Sequence, residues 1–212
     1  MKNSKKNLSV AILILCFNQC TVRGTSTQPV ECNIFFIDKC IELDIESLQV
    51  KTLSFVDSTN FDNFSFADTL NQAQIQKLKL DERFDDICFS HFLNYNICTF
   101  YLNYRIELSE NFTSLVVSYT RGDFELFTIL INYDKDFRII DILHIAYDEV
   151  ADSRSRRLSA INTDKIIVKE LDFTYYADGR TKTETFVYKI DAEGRFLKYW
   201  SNYTDYQSKN RC

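Results

Sequence analysis

The histidines are the first candidates for a chemical role, because the chain of 212 residues holds only 2 of them. His144 lies in an apolar stretch with Asp141 and Asp148 nearby in sequence, so one hypothesis is a general base oriented by a carboxylate. A single histidine carries no spacing information, however. The favoured interpretation is a strand histidine that is bonded to a neighbour or to water.

The cysteines are the second candidates, and the chain has 7: Cys16, Cys20, Cys32, Cys40, Cys88, Cys98 and Cys212. In an oxidising compartment, the simplest disulfides join Cys32 to Cys40 and Cys88 to Cys98. The sequence allows other pairings and leaves Cys212 as the remaining thiol. The paired Cys-x-x-Cys spacing of structural zinc sites is missing, so a metal site is not predicted. No other cofactor is predicted either.

Clusters of charged residues offer weaker signals. Asp134, Asp136 and Asp141 resemble part of a calcium loop, but the glycine and distal glutamate of such loops are missing, which favours turn aspartates. The acidic run 148–152 is followed by several arginines, including Arg156. These arginines could meet an acidic partner or an anionic headgroup, and a solvated loop is the simpler interpretation.

The composition excludes several classes of function. The net charge is -5, which argues against a nucleic-acid surface, and 4 glycines leave no room for a glycine-rich phosphate loop. Hydrophobic residues make up 45% of the chain, enough for one well-packed domain. Aromatic residues make up 15%, which favours strands. The expected partner is therefore a protein or a small ligand.

The N-terminus predicts export. Lysines in residues 1–6 precede an apolar run over 8–17 that is too short to span a bilayer, as in a signal peptide; an N-terminal strand or helix is the alternative. Cys16, followed by Cys20, is the preferred site of lipid attachment, and cleavage after Gly24 is the competing choice. Residues 1–24 are thus a leader and the start of a tether, and the expected location is the cell envelope, lipid-anchored in the periplasm or at an outer membrane.

Alternation of apolar and polar residues predicts the fold of residues 25–212. Residues 98–108 alternate almost without error, and similar runs follow at short intervals to residue 147. The prediction is one mainly β domain, an antiparallel meander of about six to eight strands in a curved sheet. One or two short helices over 67–92 precede it, with His91 on an apolar helical face.

Three further segments complete this prediction. Residues 148–160 interrupt the strands as a loop or a short helix, and residues 201–212 form a polar tail. A turn pattern occurs twice, at 133–139 and 190–196: hydrophobic, Asp, any residue, acidic, any residue, Arg, hydrophobic. This repetition is interpreted as a recurring hairpin turn rather than as a functional repeat.

The turn NYDKDFRIID, the segment IAYDEVA and the ending YKIDAEGRF together resemble small exported bacterial proteins of unassigned activity, many of them classed as lipoproteins. The resemblance covers residues 112–199. It implies an exported β protein and no particular activity.

The function expected from these observations is non-catalytic: an exported, lipid-anchored envelope protein that binds a protein or a small ligand and contacts a membrane through its lipid anchor only. An envelope hydrolase that uses His144 with Asp141 or Asp148 is the alternative, and it requires an open pocket with a nucleophile. A third hypothesis is an immunity-type inhibitor that blocks a toxin. It predicts a protruding charged surface over 148–157 and no pocket.

Overall fold

The alternating stretch that begins at Cys98 forms a central strand, as its pattern predicts. The computed structural model describes residues 43–90, 95–96, 98–150, 155–173 and 181–206, all within the compact unit Lys39–Cys212. The leader, the tether, His91 and the cysteines other than Cys88 and Cys98 lie outside the described residues. No described helix is both long and apolar enough to cross a membrane.

Two short helices and twelve strands make up the described chain. In chain order they are β1 (Val50–Lys51), β2 (Phe55–Asp57), α1 (Gln72–Lys77), α2 (Leu80–Cys88), β3 (Phe89–Ser90), β4 (Tyr95–Asn96), β5 (Cys98–Ile106), β6 (Thr113–Arg121), β7 (Glu125–Tyr133), β8 (Ile139–Glu149), β9 (Ser155–Ile161), β10 (Ile166–Asp172), β11 (Thr181–Ile190) and β12 (Phe196–Tyr206).

One mixed sheet of ten strands dominates the fold, in the order β1-β5-β6-β7-β8-β9-β10-β11-β12, with β2 on β9; β3 and β4 pair separately. The mainly β class with minor helix is confirmed. The predicted count of strands was too low, and the sheet is not purely antiparallel because β1 runs parallel to β5. Strands as short as β1 and β2 carry no periodic signal, and their pairing partners lie far away in sequence.

Two boundaries differ from the prediction. The segment 148–160 contains the end of β8 and all but the last residue of β9, so an interruption by a loop or helix was wrong for most of its length. The adjacent charges Arg156 and Arg157 suggested a loop, whereas they fall on opposite faces of β9. At the C-terminus, β12 continues to Tyr206, six residues into the predicted polar tail. Pairing with β11 supplies the backbone partners that extend it.

The helices cover one face of β5–β8. The α1 helix begins with a capping box, in which Asn71 and Gln74 each accept a hydrogen bond from the other's backbone N–H. Buried side chains of both helices, among them Ile75, Leu80 and Phe84, share a core with β5, β6 and β7. The Tyr133 hydroxyl donates to the Leu78 carbonyl at 3.0 Å and ties β7 to the end of α1.

A second core joins the two ends of the sheet. It contains buried side chains of β5–β8, such as Val116 and Leu130, together with Ile161 and Val168 from β9 and β10. Since strands distant in the sheet order meet in one core, the sheet folds back on itself. The side chains of β9–β11 that reach this core define their inner face, and the alternate residues form the outer face.

Candidate ligand-binding cleft

The candidate site lies where the sheet loses its regular pairing, between β8 and β9. Only two register pairs join these strands, one of which is Tyr147 with Arg157. Further towards the start of β8, the contact is made by a side chain, because the Ser159 hydroxyl donates to the Ile145 carbonyl. This gap, here called the seam, leaves room for side chains of β10 and β11 beside β8.

Two clefts open along the seam and share a wall. The first, of about 270 Å³, is lined by Asp141, Ile142, Leu143, His144, Arg157, Val168, Glu170, Tyr188 and Phe196. The second, of about 230 Å³, is lined by Tyr147, Ser155, Arg156, Arg157, Glu170, Leu171, Asp172, Lys182 and Glu184. Arg157 and Glu170 belong to both clefts, so a ligand in either one meets the same ion pair.

His144 enters the first cleft as a neutral group. Its ring lies edge-on to Phe127, with the ring centroids 5.9 Å apart. Burial lowers the pKa of His144 to about 4, with a further contribution from the positive charge of Arg157. At neutral pH its imidazole therefore offers one N–H donor and one acceptor nitrogen.

Arg157 is the cation of the shared wall. Its Nη2 donates to the Glu170 carboxylate, and the two residues are directly opposite each other on β9 and β10. The Nε of Arg157 is buried and has no hydrogen-bond partner in the structure. A buried donor without a partner costs free energy, and the exposed part of the Arg157 side chain is what the clefts present to a ligand.

Acidic groups face Arg157 from the neighbouring strands. Glu170 and Glu184 are cross-strand neighbours on β10 and β11, an arrangement that repels unless cations intervene. Arg157 pairs with Glu170, and the Lys182 ammonium lies 2.8 Å from the Glu184 carboxylate. The second cleft therefore presents alternating negative and positive groups over a short distance.

A cluster of hydroxyl groups lies at the end of the seam where β8 and β9 are paired. The Tyr147 hydroxyl donates towards Glu125 at 3.2 Å and Glu149 at 3.1 Å, and the Ser155 hydroxyl donates to the same Glu149 carboxylate at 3.2 Å. Burial, reinforced by the charge of Glu125, raises the pKa of Tyr147 well above its ordinary value. Tyr147 therefore remains protonated at physiological pH and acts as a donor.

The carboxylates proposed as partners of His144 make other contacts. Asp141 accepts hydrogen bonds from the backbone N–H of Ile142 and of Phe196, both at 2.8 Å. Asp148 is 2% exposed and accepts from the Phe61 N–H at 3.0 Å and from Arg156 Nε at 2.9 Å. A bulge opposite Thr128 and Ile129 shifts the alternation of β8, so His144 shares a face with Ile129, and both carboxylates lie on the opposite face.

The other predicted site residues are placed as follows. Cys88 and Cys98 are within disulfide distance, with their Cα atoms 5.0 Å apart, and connect α2 with β5. Cys16, Cys20, Cys32 and Cys40 lie outside the described residues. Within the described part of the chain, no group of three or more His, Cys, Asp or Glu side chains is arranged to hold a metal ion.

Sequence reasoning missed the most informative cleft residues, Glu170, Lys182 and Glu184. The sequence does contain a signal for Glu170. On β10 the core residues Ile166 and Val168 continue into Glu170 at the same spacing of two, which places a charge on a core-facing position. Such a charge needs a partner, and only the register of β9 with β10 identifies Arg157 as that partner.

Comparisons of the chain with models of protein families, with curated proteins and with solved structures found no match. The assignment of function therefore rests on the geometry of the seam.

Proposed function

We propose that this protein is a non-catalytic binding protein whose ligand is a small zwitterion held in the seam clefts. The observation that carries the proposal is the shared Arg157–Glu170 wall, where the guanidinium and the carboxylate are paired and yet 26% and 38% exposed to the clefts. A ligand that carries a carboxylate and an ammonium group on one small skeleton, as an α-amino acid does, matches both charges.

The anionic end of the ligand fits Arg157. A guanidinium presents several donors in a rigid plane, and those of Arg157 that reach the cleft can donate to a ligand carboxylate. Lys182 lines the second cleft and adds positive charge at its far side. Neutral His144 and the Tyr188 ring in the first cleft can orient the rest of the ligand through hydrogen bonding and packing.

The cationic end fits the acidic groups of β10 and β11. The Glu170 and Glu184 side chains are 38% and 33% exposed, so their carboxylates are open to a ligand while paired with Arg157 and Lys182. An ammonium group placed between the two glutamates would relieve their mutual repulsion. Together with the size of the clefts, this requirement favours a compact ligand over a long peptide.

Titration calorimetry of the full chain with the 20 common amino acids, about the smallest zwitterion panel that varies size and charge, tests the proposal. We expect saturable binding of at least one, and no binding of its amine or carboxylic acid analogue, each of which lacks one charge. Arg157→Gln should reduce the affinity at least about tenfold, the loss expected for one charged hydrogen bond. Arg138→Gln is the matched control, because Arg138 pairs with Asp134 and Asp136 in a turn outside both clefts.

Other outcomes would redirect the assignment. Unchanged binding in Arg157→Gln would contradict the seam as the site. Hydrolysis of nitrophenyl esters that is lost in His144→Gln would support the envelope hydrolase instead. Tight binding of a folded protein toxin that is insensitive to Arg157→Gln would support the immunity-type inhibitor.

The proposal includes export and tethering by a lipid on Cys16 or Cys20, based on the leader pattern of the sequence. Intact mass of the protein from membrane and soluble fractions of its native host tests this part. A membrane-bound species that begins at Cys16 or Cys20 and carries the added mass of a lipid is expected. A soluble species that begins at Met1 with reduced cysteines would contradict both export and anchoring.

A further inference from the structure

The outer face of β2 and β9–β12 carries a continuous row of apolar side chains. Successive register pairs join Val56 to Ala160, Ala160 to Ile167, Ile167 to Val187 and Val187 to Trp200. Residues directly opposite each other on neighbouring strands share a face, so the five side chains form one line across five strands. Val187 is buried and Ala160 and Ile167 are partly buried, so the two ends of the row are its exposed parts. Ordinary solvated sheet faces carry polar residues at these positions.

The β12 end of the row is strongly exposed. Leu197, Tyr199 and Trp200 are 50%, 55% and 46% exposed, and Val56 at the opposite end of the row is 59% exposed. β12 has a bulge opposite Val187 and Tyr188. Tyr199 is the extra residue of this bulge, between the paired residues Lys198 and Trp200. Two aromatic rings and a leucine thus form an exposed aromatic end of the row.

Two exposed lysines flank the row, while Arg156 on the outer face of β9 is paired with Asp62 and Asp148. Lys169 and Lys189 occupy exposed outer-face positions, and the Lys189 ammonium lies 4.9 Å from the centroid of the Tyr199 ring. Glu170, Glu184 and the other acidic residues in the paired, described parts of β9–β11 point inward to the seam clefts. The face is therefore locally basic, although the net charge of the chain is -5.

We propose that this outer face docks on the surface of a membrane that contains anionic lipids. Tryptophan and tyrosine favour the level of the lipid headgroups, and the aliphatic row can rest on the boundary with the acyl chains. Lys169 and Lys189 then face lipid phosphates, so their charge complements the membrane and not the acidic remainder of the protein. The combination of apolar row, aromatic end and flanking lysines favours this surface over an acidic protein or polysaccharide, either of which would meet the lysines but leave the apolar row unused.

The chain provides its own reporter, because Trp200 is its single tryptophan. The test adds vesicles of phosphatidylglycerol, or of phosphatidylcholine as the neutral comparison, to the full chain and follows tryptophan emission. We expect a blue shift and protection from acrylamide quenching with the anionic vesicles, reversed by high salt. An N-terminal lipid or apolar leader could bind the chain to vesicles by itself, but such binding would leave Trp200 emission unchanged.

Charge variants separate the face from the rest of the surface. Lys169→Glu with Lys189→Glu should lower the apparent affinity for anionic vesicles by at least about tenfold. Each lysine near an anionic membrane surface strengthens binding, and the double variant replaces both with negative charges. Lys77→Glu with Lys135→Glu changes the net charge equally at exposed positions of α1 and of a turn, and should behave like the native chain. An emission that does not respond to anionic vesicles, equal losses in the two double variants, or a shift produced only by a soluble acidic polysaccharide would each overturn the proposal.

Discussion

Two turns of the molecule, 134–138 and 191–195, follow the same plan and differ most in the size of their fourth residue. In each, the first aspartate accepts hydrogen bonds from the backbone N–H groups two and four residues later: Asp134 from Asp136 and Arg138, and Asp191 from Glu193 and Arg195. The fourth position of each turn has positive φ. It is Phe137 at 59° in the first turn and Gly194 at 90° in the second.

Backbone conformation alone does not explain the glycine, because phenylalanine adopts positive φ in the first turn. Phe137 uses its side chain there, stacked on Tyr133 with ring centroids 5.1 Å apart. Gly194 instead lies against β7 and β8. A Cβ at that position would meet the Phe112 ring at 3.1 Å and Ile140 Cδ1 at 3.2 Å. The first turn is stabilised by its own ring, and the second by the surface on which it lies.

Gly194→Ala should have the largest effect on this comparison. The added methyl group combines the cost of positive φ with crowding against Phe112, and we expect the free energy of unfolding to fall by about 2–4 kcal/mol in urea denaturation. Gly122→Ala is the matched control, because Gly122 also has positive φ, at 62°, but no atom lies within 4 Å of the new Cβ. Equal losses in the two variants would show that packing against Phe112 does not matter.

Asn132→Ala should cause the next largest loss in the free energy of unfolding. Asn132 is fully buried, accepts from the Ser114 hydroxyl at 2.7 Å and donates to the Gly194 carbonyl at 2.7 Å, so it attaches the second turn to β7. Its removal leaves two buried polar groups without partners, and a loss of about 1–3 kcal/mol is expected in the same assay. Asn103→Ala removes a bond to Ser118 at a more exposed site and should cost less. The reverse order would contradict the role of Asn132.

Two variants of Phe137 test whether positive φ costs free energy at this position. Phe137→Ala loses the stack on Tyr133 and keeps the cost of positive φ, whereas Phe137→Gly loses the same stack and relieves that cost. The glycine variant should therefore be the more stable by about 1 kcal/mol, the opposite of the usual order in strands and helices. Thermal unfolding of the two variants measures this difference. A more stable alanine variant would mean that φ at this position relaxes freely.

The smallest effect concerns pH. The hydrogen bond from the Arg138 backbone N–H, assisted by the Arg138 side chain, lowers the pKa of Asp134 below its ordinary value of 3.8. Because the folded pKa is the lower one, the stabilisation is present above the unfolded pKa and is lost as pH falls through the folded pKa. Asp134→Asn should flatten the decline of the urea midpoint below about pH 4. Parallel curves for the variant and the native chain would contradict this contribution.

The sequence was most informative where one strand follows another. Apolar runs and alternation predicted β5 to β8, whose two faces pack against the two cores, and the repeated aspartate pattern predicted both turns. It failed where partners are distant along the chain: β1 pairs with β5 through two residues, and Arg157 meets Glu170 only through the register of β9 with β10. The position of His144 also depends on a bulge that inverts the face of β8, and a regular period cannot reveal such a shift.

The seam also has a consequence for motion. Every other pair of neighbouring strands from β5 to β12 is joined by seven or more register pairs, whereas β8 and β9 share two. Local opening follows the boundary that breaks the fewest backbone bonds, so the sheet should part at this boundary before either half unfolds. Amide hydrogens at the start of β8 should then exchange with solvent sooner than those of β6 and β7. A small ligand could enter during the same opening, and once bound across the boundary it would slow that exchange.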